Sequence, residues 1–307
     1  MLDFIFKAFI PYDMIVSCDQ DLVSSFSNNL NSKDLNSLLV DNTIFPIEES
    51  FVIMSNHQAY TDWVYLWSVL RVQNLEGSIK IILKESLKNV PIIGWGMQYF
   101  DFIFLKRNWN ADKETLEAHM RKINNCEFPT SLLLFPEGTT FTKNTLTKSL
   151  AFAAKSDLKI QHPKHLILPR STGIKCCLDN LSLGKTKYLY DVTVGYSGVP
   201  RDGFAEDVYS MKNIFYNEKY PKQIHINIRR FLISDIPLDE DSKFSEWLQN
   251  RFLEKDSKLD YFYKSGDFHS ENDIPYMKNH ISTLDKVFGI RDMLLAAVLI
   301  YFFIKIF

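Results

Sequence analysis

Residues 50–63 read SFVIMSNHQAYTDW, and within this stretch an apolar run passes into a polar loop and then into a helical pattern. The run at residues 50–54 has the length of a buried β-strand, and the pattern from Trp63 to Val72 predicts a helix. A strand followed by a helix is the repeating unit of α/β proteins. The stretch therefore predicts the start of an α/β domain, with a polar loop at the carboxyl end of a core strand.

The same alternation of strand and helix patterns continues to residue 170. It predicts further strands at 79–83, 102–105, 131–135 and 165–168, and helices at 113–124 and 145–155. Beyond residue 185, segments 188–195 and 224–233 alternate as strands, and an amphipathic helix follows over 244–252. We expect an α/β fold with a central, largely parallel or mixed sheet, flanking helices and a C-terminal extension of that sheet. A separate second domain formed by the later strands is the alternative.

The composition limits the class of partner. The chain has 307 residues, of which 46% are hydrophobic, so it can bury a substantial core and is not intrinsically disordered. Its formal net charge is −2, whereas nucleic-acid binders carry an excess of positive charge. Its four cysteines are too few and too irregularly spaced for a disulfide scaffold or a zinc site. We expect no nucleic-acid partner and no bound metal.

The two ends of the chain are apolar. An uncharged, mostly apolar run extends from Met293 to Ile304, which is shorter than the ~20 residues of a membrane-spanning helix. A short or re-entrant anchor, part of a longer span and a buried helix all fit this run, while residues 1–10 fit an interfacial segment or packing on the domain. We expect short hydrophobic helices at both ends. The expected divisions are an N-terminal interfacial or connector segment (1–49), the α/β core (50–183), its C-terminal extension (184–270), and a linker with a short membrane-associated tail (271–307).

A histidine and an aspartate, His57 and Asp62, lie in the polar loop after the first predicted strand. On a regular helix this spacing would make the side chains diverge, but they can meet if His57 is in the loop and Asp62 in the first helical turn. The aspartate would then fix the imidazole tautomer and leave the other nitrogen as a base. His280 and Asp285 repeat the spacing, so the spacing alone is weak; the strand-end position favours His57.

Other predicted strands also end in reactive or charged residues. Pro-Glu-Gly-Thr-Thr follows the strand at 131–135, and cationic residues follow two further strands. Because α/β folds place their sites at the carboxyl ends of strands, we expect these residues to gather near the His–Asp pair. Their combination suits base catalysis on an anionic substrate. The candidate site residues are His57, Asp62, Lys106, Arg107, Glu137, Gly138, Thr139 and Arg170.

These motifs resemble the four sequence blocks of the glycerolipid acyltransferase superfamily and occur in the same order. The matching positions are His57 and Asp62, Phe104 and Arg107, residues 135–139, and Pro169. The segments at 84–95, 135–145 and 190–196 are similar to the branch that acylates lysophosphatidylinositol or lysocardiolipin, and its C-terminal region resembles residues 185–268. Fungal lysophosphatidylinositol acyltransferases look nearest.

The resemblance implies an enzyme that transfers an acyl group from acyl-CoA to the sn-2 hydroxyl of a lysophospholipid, with lysophosphatidylinositol as the best candidate. It implies His57 as general base, Asp62 as its orienting partner, and substrate-binding roles for Lys106, Arg107, Glu137, Gly138, Thr139 and Arg170. Acyl-CoA is then a co-substrate and no cofactor is needed. The expected location is the membrane surface of the endoplasmic reticulum or a lipid droplet, with the catalytic domain facing the cytosol.

One position departs from many lysophosphatidate acyltransferases, which have arginine after Glu-Gly-Thr where this chain has Thr140. That arginine is associated with phosphate binding. Its absence lowers the expectation of lysophosphatidate as acceptor and suits a head group recognised partly through hydroxyls. Three alternatives stay open: an acyltransferase that acts on glycerol 3-phosphate or 1-acylglycerol 3-phosphate, a non-catalytic lipid-binding relative that kept the fold, and a hydrolase with water as the acceptor.

Overall fold

The computed structural model describes residues 12–18, 50–91, 93–155, 161–268 and 277–279. The strands are β1 (Asp13–Cys18), β2 (Phe51–Ser55), β3 (Ile79–Lys84), β4 (Ile103–Leu105), β5 (Ser131–Leu134), β6 (Tyr188–Tyr196), β7 (Gln223–Leu232) and β8 (Met277–Asn279). The α-helices are α1 (Asp62–Val72), α2 (Ile93–Tyr99), α3 (Trp109–Asn124), α4 (Lys143–Lys155), α5 (Ser171–Leu181), α6 (Ala205–Val208), α7 (Met211–Tyr216) and α8 (Asp241–Ser265). Short 3₁₀ turns occupy Glu85–Asn89 and Ile233–Asp235.

One sheet joins these strands in the order β4-β3-β5-β2-β6-β7-β1-β8. The strands from β4 to β6 in that order are parallel, whereas β7 is antiparallel to β6, β1 parallel to β7, and β8 antiparallel to β1. The sheet is therefore mixed, and its parallel part is built from strands that alternate with helices. This confirms the predicted α/β fold and the extension of the sheet, because β6 and β7 continue it beyond β2.

The central strand β2 is buried on both faces, which explains its continuous apolar run. Phe51 and Ile53 pack in one apolar core together with α1, and Val52 and Met54 pack in a second core with α3, α5 and α8. Parallel strands covered by helices on both sides have this composition. The carboxyl end of β2, between β5 and β6, leads directly into the polar loop.

Helix α8 covers the extended part of the sheet and is attached to it by buried charges. Lys255 is fully buried and pairs with Asp191 of β6, while Arg229 of β7 bridges Asp191 to Glu254 of α8. Burial lowers the pKa of Lys255 to about 8, and the Asp191 carboxylate opposes that shift. Buried charges persist in proteins when they are paired and hydrogen-bonded. The pairs hold α8 against the middle of β6.

The predicted strand at 165–168 is wrong. These residues are buried or partly buried, but their backbone amides donate to side chains instead of a neighbouring strand. His165 donates to Asp256 of α8 at 2.6 Å, Ile167 to Glu137 at 3.2 Å, and Leu168 to a serine of α4 at 3.2 Å. The side-chain acceptors satisfy buried amides that a strand partner would otherwise pair.

Strand β1 was not predicted, because residues 13–18 were assigned to the N-terminal connector. The structure instead pairs β1 with β7 and β8, and its residues Met14, Val16 and Cys18 are buried. Only a few alternating apolar positions mark this strand, too few for a reliable pattern. The expected terminal helices, the connector at 19–49, His280 and the apolar tail lie outside the described residues. In the described ranges, no helix combines the length and apolar character that crossing a bilayer requires.

Candidate active site

The His57 and Asp62 side chains are in contact at the carboxyl end of β2. His57 lies in the loop after the strand, Asp62 is the first residue of α1, and the imidazole Nδ1 is 2.8 Å from the Asp62 Oδ2 atom. This is the arrangement that the sequence spacing requires for the two side chains to meet. Asp62 is fully buried, whereas the His57 side chain keeps 17% of its surface exposed. The pair therefore joins a buried carboxylate to a ring that a substrate can reach.

The buried carboxylate of Asp62 is surrounded by hydrogen-bond donors. The backbone amide of Gln58 donates to Oδ2 at 2.7 Å, and that of Ala59 lies 3.1 and 3.2 Å from the two oxygens. The phenol of Tyr196, at the end of β6, donates to Oδ1. Donors of this kind stabilise a negative charge that burial alone would disfavour.

Four further contacts fix the position of His57. Its backbone amide donates to Glu137 Oε1 at 2.7 Å, and its carbonyl oxygen accepts from the amide of Phe141 at 2.7 Å. Its ring stacks on Phe135 with centroids 4.3 Å apart, and Thr140 Oγ1 lies 3.2 Å from Nε2. Because Nδ1 faces the Asp62 carboxylate, we assign the ring proton to Nδ1 and the acceptor role to Nε2. The loop of residues 135–141 thus holds the imidazole with Nε2 as the basic atom.

Glu137 supports the loop that carries His57. Both carboxyl oxygens accept backbone amides, one from His57 and one from Ile167, and the side chain is buried. Burial raises its pKa from 4.5 to about 8, while the two amide hydrogen bonds oppose the shift. Both oxygens of Glu137 are therefore engaged by the protein, while its predicted role in substrate binding stays a prediction.

Gly138, Thr139 and Arg170 gather beside the loop. Gly138 has a positive φ of 68°, which an amino acid with a side chain rarely adopts, and it ends the turn after β5. A Cβ at Gly138 would lie 3.6 Å from the Arg170 side chain. The backbone amide of Arg170 donates to the carbonyl oxygen of Pro136 at 2.8 Å. Arg170 is exposed and Thr139 is half-buried. The structure thus brings these three predicted residues to the edge of the sheet that carries His57.

Lys106 and Arg107 lie farther from the imidazole. They follow β4, which is three strands from β2, and three strand spacings correspond to about 14 Å. Both side chains are exposed, and their loop is held by Asp112, which accepts the amides of Lys106 and Asn108 at 2.8 Å each. Arg107 adopts a φ of 65°, an uncommon conformation for a residue other than glycine. The structure gives a second cationic position on the same edge.

Sequence reasoning missed three parts of this site. It did not place the Thr140 hydroxyl on the His57 ring, or Tyr196 on Asp62, since no motif joins residues so distant in the chain. It also gave no role to Asn56, whose side-chain amide bonds Val194 of β6 at 2.8 and 3.0 Å. For Asn56, the available sequence signal was its position as a polar residue at the end of an apolar strand.

Two family models match the chain. A model described as acyltransferase matches residues 33–176, and one described as acyltransferase C-terminus matches residues 214–289. The first spans the loop of the His–Asp pair, the turn at Gly138 and Arg170; the second spans β7 and α8.

Curated relatives show the same similarity. A 2-acyl-1-lysophosphatidylinositol acyltransferase of Saccharomyces cerevisiae is 36% identical over 258 residues, covering 73% of this chain and 64% of the relative. A probable 1-acyl-sn-glycerol-3-phosphate acyltransferase of Arabidopsis thaliana is 34% identical, covering 74% and 57%. Lysocardiolipin acyltransferase 1 of Gallus gallus is 33% identical, covering 78% and 61%. The chain thus spans less than two thirds of the length of each of these relatives.

The ionisation of Glu137 gives a test of the site. Its folded-state pKa of about 8 lies above its ordinary value, so the group stabilises the fold at low pH and this contribution is lost as the pH rises through about 8. From about pH 5 to about pH 8, the unfolding free energy of the wild type should therefore fall relative to that of Glu137→Gln, which cannot ionise. Urea unfolding of both proteins across this range measures the difference, and parallel pH profiles would contradict a buried, titrating Glu137.

Proposed function

The chain belongs to the acyltransferase family, and we propose that it transfers an acyl group from acyl-CoA to a free hydroxyl of a lysophospholipid. The first candidate acceptor is lysophosphatidylinositol, with transfer to its sn-2 hydroxyl. The observation that carries the proposal is the His57–Asp62 pair, in which Nδ1 contacts the buried carboxylate, Nε2 is left as the acceptor atom, and the side chain of His57 keeps 17% of its surface exposed. A base placed in this way can take the proton of an alcohol.

In the proposed reaction, His57 Nε2 takes the acceptor's hydroxyl proton as the oxygen attacks the thioester carbonyl of acyl-CoA. The tetrahedral intermediate then collapses, the carbon–sulfur bond breaks, and the CoA thiolate takes the proton back from Nε2. Asp62 stabilises the imidazolium that exists between these two steps, and its donors keep it in place. The products are free CoA and a diacyl phospholipid.

The position of Thr140 raises the alternative of a covalent acyl-enzyme. Thr140, His57 and Asp62 are joined in the order nucleophile, base and acid that hydrolases use. The Thr140 side chain is only 2% exposed, however, so an acyl group on its oxygen would have to displace the surrounding side chains. We therefore favour direct transfer, in which the acceptor hydroxyl contacts His57 Nε2 itself and Thr140 carries no acyl group.

The cations around the edge suit an acceptor that carries a phosphate. Arg170 lies beside Gly138, close to the turn that holds His57, and Lys106 and Arg107 lie at the end of β4. A planar guanidinium pairs well with phosphate oxygens. In the proposal, one position binds the phosphate of the lysolipid and the other binds a phosphate of CoA.

The head group is proposed from Thr140 and from the names of relatives. A hydroxyl in place of a phosphate-binding arginine suits a phosphodiester with a polyol head group better than a phosphate monoester. The yeast relative is named for lysophosphatidylinositol, whereas the plant relative is named for 1-acyl-sn-glycerol-3-phosphate, which is our second candidate acceptor. The yeast name also specifies an acceptor acylated at position 2, so both positional isomers need to be compared.

Replacement of the base is the first test. The His57→Ala variant should lose acyl-CoA-dependent acylation of lysophospholipid by at least ~10²-fold, the usual scale for a general base. Release of free thiol from acyl-CoA, measured with and without lysolipid, gives the rate and separates transfer from hydrolysis. His280→Ala removes a histidine with the same spacing to an aspartate and should stay active. Near-wild-type turnover of His57→Ala would exclude His57 as the base.

Substitutions of Thr140 test the head group and the covalent alternative together. Thr140→Val removes the hydroxyl at nearly constant shape, so direct transfer predicts a rate within about tenfold of wild type, whereas an acyl-enzyme predicts near-complete loss. Thr140→Arg should raise the use of lysophosphatidate relative to lysophosphatidylinositol. A panel of lysolipid acceptors, including 1-acyl and 2-acyl isomers, measures the preference. An unchanged preference would show that Thr140 does not select the head group.

We also propose that the edge carrying His57 docks on a cytosol-facing membrane surface, at the endoplasmic reticulum or a lipid droplet. Helix α2 follows β3 on that edge, and its Trp95 and Tyr99 are 68% and 87% exposed. Exposed lysines at positions 84 and 88 precede α2 in the chain, and the exposed cations Lys106 and Arg107 follow β4 on the same edge. Aromatic rings with neighbouring cations are typical of surfaces that bind anionic lipid interfaces.

Vesicle binding by the full chain tests the docking surface. The double variant Trp95→Ser, Tyr99→Ser should bind vesicles of phosphatidylcholine and phosphatidylinositol several-fold more weakly in a flotation assay, because two interfacial rings are lost. Phe128→Ser is the matched control, since Phe128 is 75% exposed but precedes β5 at the opposite edge of the sheet. Equal binding by the double variant and the control would exclude α2 as a docking element.

A further inference from the structure

The phenol of Tyr196 reaches the catalytic pair from the opposite side of Asp62. Tyr196 is the last residue of β6, which pairs with β2 on the side away from β5. Its hydroxyl donates to Asp62 Oδ1, while His57 Nδ1 contacts Oδ2. The two oxygens of one buried carboxylate are thus held by a tyrosine from the sheet and by the proposed base.

We propose that Tyr196 is a positioning residue of this active site, whose hydroxyl orients the Asp62 carboxylate toward His57 and moderates its negative charge. The proposal rests on the proposed function, in which His57 is the base. Tyr196 touches neither acyl donor nor acceptor in this mechanism and acts through Asp62.

The division of donors between the two oxygens explains why the phenol matters. Oδ2 accepts from His57 and from the amide of Gln58 at 2.7 Å, and it also lies 3.1 Å from the amide of Ala59. Apart from Tyr196, Oδ1 has a contact of 3.2 Å to that same Ala59 amide. Without the phenol, this oxygen would keep one shared, long hydrogen bond, and the carboxylate would be free to rotate away from the imidazole plane.

The surroundings of Tyr196 keep it in place as a donor. The side chain is fully buried, and its ring contacts those of Tyr65 at 5.7 Å and Tyr209 at 6.2 Å. The Tyr209 hydroxyl is itself occupied, because it donates to the carbonyl oxygen of Ser197 at 2.6 Å. Burial raises the pKa of Tyr196 well above its usual value, and the Asp62 charge adds to the shift, so the phenol keeps its proton.

Other ionisable groups also act on Asp62 and must be separated from Tyr196 in any test. Tyr65 of α1, Glu137 after β5, Glu206 of α6 and Tyr263 of α8 all interact electrostatically with the Asp62 charge. Burial raises the pKa of Glu206 to about 7, so this group can itself titrate near neutral pH. Each test of Tyr196 therefore needs a matched control variant, in which a different buried phenol is removed and the remaining ionisable groups are retained.

The first test compares two tyrosine-to-phenylalanine variants of the full chain. Tyr196→Phe should lower kcat for lysophospholipid acylation by about tenfold or more, the scale of a lost hydrogen bond to a charged group, with KM within about twofold. Tyr65→Phe removes an equally buried phenol in ring contact with Tyr196 and should change kcat less than about twofold. Equal effects of the two variants would overturn the proposal.

A double-mutant cycle tests whether Tyr196 acts through the carboxylate. In an Asp62→Asn background, measured with radiolabelled acyl-CoA, adding Tyr196→Phe should lower the residual rate less than about twofold. A full tenfold loss in that background would show that Tyr196 acts by another route. Thermal unfolding of each variant gives the folded fraction by which the rates are corrected, so a general loss of stability cannot imitate the coupling.

A readout without acyl transfer separates this proposal from the proposed function. Diethyl pyrocarbonate modifies neutral imidazole, so the rate of His57 modification at one fixed pH, read by peptide mass spectrometry, reports the state of the ring. Loss of the phenol changes how the Asp62 carboxylate contacts the ring, so this rate should change by about twofold or more in Tyr196→Phe and stay at the wild-type value in Tyr65→Phe. An unchanged rate in Tyr196→Phe overturns the role of Tyr196, whereas a wild type that acylates no lysolipid overturns the proposed function alone.

Discussion

The buried carboxylate of Asp62 is the constraint on which the site depends. An ionised carboxylate away from water is costly unless hydrogen-bond donors surround it. The donors come from the loop after β2, through the amides of Gln58 and Ala59, from the imidazole of His57, and from Tyr196 of β6. The loop must therefore curl around the helix start, and β6 must lie beside β2. Satisfying one charge determines the geometry of three segments.

A second buried carboxyl group, that of Glu137, has the complementary task. Asp62 acts on the ring of His57, whereas Glu137 acts on its backbone and also holds the amide of Ile167. The two groups follow neighbouring parallel strands, β2 and β5, whose carboxyl ends lie side by side. Without Glu137, the loop that carries His57 would have a backbone amide that lacks this acceptor.

The sequence predicted most of the fold because its parallel strands are short apolar runs separated by helical patterns, as at residues 50–72. It failed where tertiary contacts replace local pattern. Residues 165–168 look like a strand by composition, but side chains from α4, α8 and Glu137 satisfy their amides. The contact of His57 with Asp62 followed from spacing and a strand end, whereas Tyr196 and Thr140 meet the pair only through the register of the sheet and the path of a loop.

The connection from α8 to the site has a consequence for how the chain can be divided. Asp256 accepts the amide of His165, and Asp260 contacts its ring at 3.2 Å. The carbonyl oxygen of His165 accepts from the side chain of Gln58, which is next to the proposed base His57. Hydrogen bonds therefore join the two regions that the separate family models match, and Tyr196 lies in the stretch of chain between them. A fragment that ended before α8 would lose the contacts of Asp256 and Asp260 with His165, and these contacts support the loop of residues 57–62 through Gln58. The proposed active site thus depends on contacts from both regions, and the first region alone lacks part of its support.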